Sequence, residues 1–490
     1  MTAIAERITG SKEQTRQTFV VVLGVYFLLQ ILIRVLQGGA VEMDEAEQIF
    51  YAQQFRLGYE NQPPLYTWLQ ALVFHAVGVS HLGLAIAKNI FMFVLYYSLY
   101  RTARMLLGTL GAAVVSSSLI MIVTLGWEAQ IDRTHSILAT AVGAASLWTY
   151  TTLLEQPSKR RRALLGVLFG LGMLSKYNFL LFVIGLAGAS LLVREHRRIV
   201  WTRDVWITPA VGLLLVLPHA WWFFQQIDAA TAETLRKMRE GGAPTTYGKN
   251  VLLGLRHFFM SLLSFGTPLW VPLAFAWRGR RPGTPRWEAT DVRFFFWLYA
   301  AGLGTVAALV LTGELIHIQS RWLQPLLFSV PLGFFVFFPP ASDRVYRRIL
   351  VTLGVFAVVL VSALAFRPQL QAGLGRHPRI QQPYDQLARE LAHRFPDVDV
   401  FAVQDRFVGG NIRLQFPDKP VVLLGQACAQ QGRILLLSGD GFDDRPRVPL
   451  PACPNFTVAE RGHLAEQSVL HPRETTVFDY AWVQAAPPSR

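Results

Sequence analysis

Long apolar runs recur through the first three-quarters of this 490-residue sequence, each followed by a short polar link. The runs reach roughly 17 residues or more, the length a helix needs to cross a bilayer. Only 16% of the residues are charged and 52% are apolar, against roughly 25% charged in an average soluble protein. This pattern predicts a polytopic α-helical membrane protein. The first run, residues 19–36, is read as a retained span and not as a cleaved signal peptide. It is long, it lacks a small-residue cleavage site, and Arg34 stands near its end.

The net charge of +14 does not point to nucleic acid, because the bases gather in the links between runs. They form Lys159-Arg160-Arg161-Arg162, Arg194 with Arg197 and Arg198, Arg278 with Arg280 and Arg281, and Arg344 with Arg347 and Arg348. Such clusters mark the cytoplasmic ends of spans. Parity from the first cluster places Arg101 and Arg104 inside, and Asp132 and the loop after the first span outside. Residues 64–79 cover only about 24 Å as a helix, so they are expected to lie at the outer interface without crossing. Residues 163–193 lie between two basic clusters and must return to their starting side, with a break at Ser175-Lys176-Tyr177-Asn178. The whole gives about eleven crossings.

From about Arg367 the composition becomes that of a soluble domain. The expected division is a membrane domain at 1–366 and a small outer α/β domain at 367–490. Tyr384, Leu387, Ala388, Leu391 and Phe395 have helical spacing. Residues 398–403, 421–424, 434–437 and 476–482 read as buried strands, and Gly409-Gly410 and Gly439-Asp440-Gly441 as turns. The two cysteines, Cys428 and Cys453, both fall here and are expected to pair in an oxidising compartment. No Walker loop, zinc-type Cys/His spacing or Gly-x-Ser-x-Gly elbow occurs in the sequence.

Chemistry is expected in the loop at 38–64. It carries Glu42, Asp44, Glu45, Glu47 and Glu60 against one base, Arg56, and closes on Gln62-Pro63-Pro64-Leu65-Tyr66. A carboxylate held in a partly desolvated pocket gains basicity, as a general base requires. The plain alternative is a solvated loop that helps set topology, to which acids contribute little. Asp132, at the outer mouth of a span, offers a second carboxylate; neutralisation by Arg133 or a helix-capping role are its ordinary alternatives. Lys176 interrupts an apolar hairpin, where an ionisable group is a functional candidate and snorkelling is the alternative. Arg321, at another outer span end, follows the same logic. His219 is a helix-end histidine or a metal ligand, and Trp221-Trp222-Phe223-Phe224 an interfacial aromatic belt.

The order of these features resembles the GT-C fold glycosyltransferases that use polyprenyl-phosphate sugars, including the protein O-mannosyltransferases and the lipid A aminoarabinose transferases. The motifs are Asp44-Glu45, Gln62-Pro63-Pro64-Leu65-Tyr66, Asp132, Gly172-Met173-Leu174-Ser175-Lys176 and Arg321-Trp322-Leu323-Gln324-Pro325. The resemblance covers residues 15–365 and looks closest to bacterial members that decorate lipopolysaccharide, the galacturonosyltransferases among them. Two departures stand out: Gln62 replaces a common His or Lys, and Trp322 a common Tyr.

The resemblance implies about 11–13 membrane helices with interfacial helices, an inner-membrane location, a cytoplasmic N-terminus and a periplasmic C-terminal domain. It implies an inverting transfer from a polyprenyl-phosphate sugar to lipid A, lipopolysaccharide core or another envelope glycan; a protein acceptor is the alternative within the fold. Asp44 acts as base, Glu45 shapes the site, and Asp132 orients acceptor or base. Lys176 and Arg321 bind the donor phosphate. Gln62, Tyr66, His135, Tyr177 and His317 complete the substrate pocket. No cofactor is required, and a divalent metal stays open, with His219 its candidate ligand. The rival class, a transporter or flippase of lipid-linked anions, predicts internal repeats that the sequence does not contain. A scaffold presenting the C-terminal domain leaves the intramembrane charges without a role.

Overall fold

The computed structural model describes residues 12–239, 246–376, 378–439, 453, 456–468, 470 and 475–485. Six helices in it are long and apolar enough to cross a membrane: Gln17–Gln37, His81–Met121, His135–Glu155, Arg203–Gln225, Thr290–Leu311 and Asp343–Ala365. Two bent pairs bring the number to eight if each is one span: Tyr177–Leu192 with Arg194–Val200 at 105°, and Tyr247–Phe265 with Trp270–Arg278 at 74°. The crossings counted from the sequence include runs that are divided here into shorter helices, such as Ser320–Leu327 and Val330–Phe337. The spans leave Val21, Val22, Leu28, Leu213 and Leu214 exposed, the surface that acyl chains cover in a bilayer. Leu65–Val77, at 13 residues, is shorter than a crossing. His81–Ser117 breaks at Gly108, whose φ of 73° a side chain would disfavour.

The chain forms two compact units. One contains the described parts of Met1–Gln30, Arg56–Tyr66 and Lys88–Val361. It is helical, and the most buried of its candidate spans, His135–Glu155, buries residues around its circumference, as a helix at the centre of a bundle does.

The second unit contains Ile31–Phe55, Thr67–Ala87 and the described parts of Ser362–Arg490. The compact unit thus joins the acidic first loop to the C-terminal sheet domain. Its five strands are β1 (Val400–Val403), β2 (Val421–Leu423), β3 (Gly432–Gly439), β4 (Phe456–Gln467) and β5 (Thr475–Ala485). They run in the order β2-β1-β3-β5-β4. β1 is parallel to both neighbours, and β5 is antiparallel to β3 and β4. Central strands β1 and β3 read Val-Phe-Ala-Val and Ile-Leu-Leu-Leu because both faces are covered. The helix Tyr384–Arg394 lays Tyr384, Leu387 and Leu391 on one face, beside Phe401 and Leu435.

β4 has no counterpart in the sequence reading. Its Phe-Thr-Val-Ala-Glu-Arg-Gly-His-Leu-Ala-Glu-Gln buries only Leu464, as an edge strand can. Gly409-Gly410 is also corrected: both glycines lie inside the helix Arg406–Gln415, not in a turn. Gly439 ends β3, while Asp440 and Gly441 lie outside the described residues. Cys428 and Cys453 are joined by a disulfide, with their Cα atoms 5.3 Å apart.

Candidate active site

In the second unit, the helix Met43–Tyr51 carries the acidic loop. Glu42 precedes it in extended conformation, and Asp44 and Glu45 occupy its first turn, where the helix dipole favours negative charge. Its inner face is Glu45, Ala46, Gln48, Ile49 and Tyr51. The acids are sorted by their surroundings. Glu45 is fully buried and accepts from Arg34 at 3.1 Å. Glu42 is ion-paired with Arg367, and Glu47 with Arg406 at 2.9 Å. Asp44 is half-buried in the first turn. Arg34 also donates to the Gly38 carbonyl at 3.0 Å, so one side chain fixes both the end of the first span and the acidic helix.

The segment after Pro63-Pro64 supports this helix. Thr67 donates to Gln48 Oε1 at 2.7 Å, and Phe55 stacks on Trp68 with ring centroids 4.9 Å apart. An apolar cluster of Val41, Ala46, Ile49, Phe74 and Leu84 fills the space between.

In the first unit, three elements converge on the start of His135–Glu155. The helix Lys159–Ser175 ends at Lys176, whose backbone is extended, and a short turn at Tyr177–Phe179 leads into Leu180–Leu192. The Lys176 ammonium therefore projects from a helix break, and Nζ donates to Ser136 Oγ at 2.5 Å. His135 Nδ1 lies 3.2 Å from the Ser175 carbonyl, and its ring sits 5.4 Å from that of Tyr66, centroid to centroid. Ser320–Leu327 is the third element. Asn178 Nδ2 donates to the Trp322 carbonyl at 2.6 Å, and Gln324 Nε2 to Thr140 Oγ1 at 3.0 Å. These bonds tie residue 178, two on from Lys176, to residue 322, next to Arg321. Arg321 is half-buried in the first turn of its helix.

Asp132 follows the short helix Glu128–Ile131 and does not cap the span, which begins after Thr134. The Arg133 guanidinium donates to Glu128 at 2.9 and 3.0 Å. Gln62 belongs to a tight turn: its amide donates to the Tyr59 carbonyl at 2.9 Å and its carbonyl accepts from the Tyr59 amide at 3.1 Å. His317 stands beside His257, ring centroids 5.1 Å apart.

His219 has both ring nitrogens engaged, with the Leu57 carbonyl at 2.7 Å and the Tyr177 hydroxyl at 3.1 Å. These contacts make it a link between the Arg56–Gln62 turn and the Lys176 break. Among the described residues no group of three or more His, Cys, Asp and Glu is arranged to hold a metal ion.

Sequence reasoning passed over Ser136, Gln324, Arg34, Arg367 and Arg406 as site residues. Arg34 had a signal, a lone arginine in an apolar run, and Gln324 lies within the Arg321-Trp322-Leu323-Gln324-Pro325 motif. Arg367 and Arg406 had none, because only the fold brings them to the acidic loop.

The chain is similar to known proteins over most of its length. Residues 61–222 match the family described as dolichyl-phosphate-mannose-protein mannosyltransferase. The chain is 33% identical over 424 residues to the lipopolysaccharide core galacturonosyltransferase RgtA of Rhizobium johnstonii, covering 84% of this chain and 83% of that protein. It is 29% identical to the lipopolysaccharide core galacturonosyltransferase RgtB of the same organism, covering 85% and 84%. Among solved structures, ArnT from Cupriavidus metallidurans bound to undecaprenyl phosphate superposes with a TM-score of 0.60 at 13% identity, over 95% of this chain and 98% of that one. The chain belongs to the GT-C glycosyltransferases, in the same family as these galacturonosyltransferases. It is a multi-pass membrane glycosyltransferase.

Proposed function

We propose that this protein transfers a uronic acid, galacturonic acid in the first instance, from a polyprenyl monophosphate to the lipopolysaccharide core or lipid A. The observation that carries the reading is the Lys176 ammonium held on Ser136 at 2.5 Å, at a helix break tied to the Arg321 helix through Asn178. Two cations on converging elements within the membrane-spanning unit suit a lipid phosphate. The two full-length relatives, both lipopolysaccharide core galacturonosyltransferases, support the sugar and the acceptor.

Asp44 removes the proton from the acceptor hydroxyl as its oxygen attacks the anomeric carbon. Attack comes from the face opposite the phosphate, and the configuration inverts. The C–O bond to phosphate breaks, and the departing polyprenyl monophosphate carries the electron pair. Lys176 and Arg321 stabilise the charge that grows on it, a kind of stabilisation often dominant in catalysis. Glu45, paired with Arg34, holds the acidic helix, and Asp132 orients the acceptor. The two cations take up the monophosphate charge, and a monophosphate leaving group does not oblige the enzyme to use a metal. The protein sits in the inner membrane with its N-terminus cytoplasmic, a reading supported by the basic clusters, and its disulfide-bonded domain periplasmic.

The test is reconstitution in proteoliposomes with synthetic polyprenyl-phosphate galacturonic acid, offering lipopolysaccharide core, lipid A or a serine-rich peptide, with and without a chelator. Mass spectrometry is expected to find one uronic acid added to a lipopolysaccharide acceptor, in the anomeric configuration opposite to the donor. Transfer to the peptide alone, or retained configuration, overturns the reading.

A further inference from the structure

The acidic helix is held by the C-terminal domain along its whole length. Just ahead of it, the Val41 amide donates to Asn411 Oδ1 at 2.8 Å, and Asn411 Nδ2 donates back to the Val41 carbonyl at 3.4 Å and to the Phe407 carbonyl at 3.0 Å. Asn411 is fully buried. At the centre, Gly410 lies against Ala46 so closely that a Cβ on it would come within 2.2 Å of the Ala46 carbonyl oxygen and 2.5 Å of its Cα. Arg406 pairs with Glu47 at 2.9 Å, and Arg413 donates to the Ile49 carbonyl. Past the end of the helix, Gln53 Nε2 donates to the Val421 carbonyl at 3.0 Å and its Oε1 accepts from the Val421 amide at 2.9 Å.

These contacts come from residues of Arg406–Gln415 and from the backbone of β2, and they engage residues 41, 46, 47, 49 and 53. Asp44 is carried on a backbone fixed from both ends. A domain that only capped the outer face would have no need of a glycine where its helix crosses Ala46, nor of a buried amide satisfying both backbone groups of Val41.

We infer that the C-terminal domain positions the Asp44 carboxylate for proton abstraction, with Asn411, Gly410 and Arg406 as positioning residues. This rests on the assignment of Asp44 as the base. Loss of Asn411 leaves the Val41 amide and carbonyl buried without these partners. A methyl group at position 410 pushes the Ala46 backbone off its seat. Either change displaces the base while leaving the donor-binding cations in place, so turnover falls and donor affinity does not. Displacements on the scale of 1 Å cost roughly a hundredfold in rate.

The experiment measures kcat and donor KM for full-length N411A, G410A and R406Q in proteoliposomes, with D44N alongside and folding checked by gel filtration. R406Q removes one partly exposed ion pair and the guanidinium's place over the Tyr51 ring but leaves the buried Asn411 and Gly410 contacts intact, so it keeps a folded test available. N411A and G410A are expected to lose tenfold to a hundredfold in kcat, and R406Q several-fold, all with donor KM within twofold of wild type. Wild-type kcat in R406Q and in every other variant that folds, or a kcat loss matched by an equal rise in donor KM, overturns the positioning role. Near-normal transfer by D44N instead overturns the assignment of Asp44, whatever the other three variants do.

Discussion

Arg34 and Glu45 form a buried ion pair at 3.1 Å, one residue from the last turn of the first span and the other from the first turn of the acidic helix. Removing one member takes this partner from a charge that stays buried, which costs about 3–5 kcal/mol. R34M is therefore expected to lower the thermal midpoint of the detergent-solubilised protein strongly. R34M/E45M, with two apolar side chains, is expected to recover most of that loss. R34K recovers little, because an ammonium cannot reproduce the fork that reaches both Glu45 and the Gly38 carbonyl. A double variant no more stable than R34M would show that the pair is not what holds this junction.

In the sheet domain, Asp399 accepts from the Arg433 backbone amide at 2.9 Å and from its side chain, and these donors hold its carboxyl below the usual range. The Tyr480 hydroxyl and the Arg394 guanidinium do the same for Glu460. A carboxylate whose folded-state pKa is depressed adds stability above its unfolded pKa, and that stability is lost as pH falls through the folded value. Hydrogen-exchange protection of β1, β3 and β5 is expected to be flat around neutrality and to fall below about pH 4. Both groups are exposed, so the effect is small and weakens with salt. D399N is expected to flatten the acid limb; an unchanged limb would place the titration elsewhere.

The disulfide between Cys428 and Cys453 closes a 25-residue separation, for which loop-closure entropy gives a stabilisation of about 3.5 kcal/mol. Reduction, or C428S/C453S, is expected to lower the domain's unfolding midpoint. If the domain positions the acidic helix, the same treatment also lowers turnover at unchanged donor KM. An unchanged midpoint in the reduced protein would show that the bridge adds nothing to stability.

The sequence was informative where chemistry and membrane burial conflict. Lys176 and the helix break around it stood out because a charge in an apolar hairpin is costly. The short helix at Leu65–Val77 followed from span length and the parity of basic clusters. β1 and β3 were legible as unbroken apolar runs, whereas β4 was not, since an edge strand with charged residues on exposed positions carries no burial signal. The pairing of Gly410 with Ala46 was illegible for another reason. Two glycines in a row mark a turn by local propensity, and only a tertiary contact between residues 364 positions apart gives them a place inside a helix.

Lys176 is the side chain on which the proposed donor site turns. Its ammonium is held by Ser136 at the first turn of a buried helix, and that hydroxyl is the contact a phosphate oxygen would join or replace. K176M removes the charge and keeps most of the apolar bulk. It is expected to lower kcat on the order of 10²–10³-fold, the range for loss of one electrostatic stabiliser, and to weaken capture of polyprenyl phosphate offered as a product inhibitor. S136A keeps the charge and removes the Ser136 hydroxyl from it. Its kcat is expected to fall less than that of K176M, with inhibitor binding retained. K176R keeps the charge on a longer, planar group and is expected to bind the inhibitor with turnover only partly restored. A structural lysine would give no such order, with K176M and K176R alike in turnover and inhibitor binding unchanged in both. Steady-state kinetics and an inhibition curve on the three variants, each in the same proteoliposomes, separate the two.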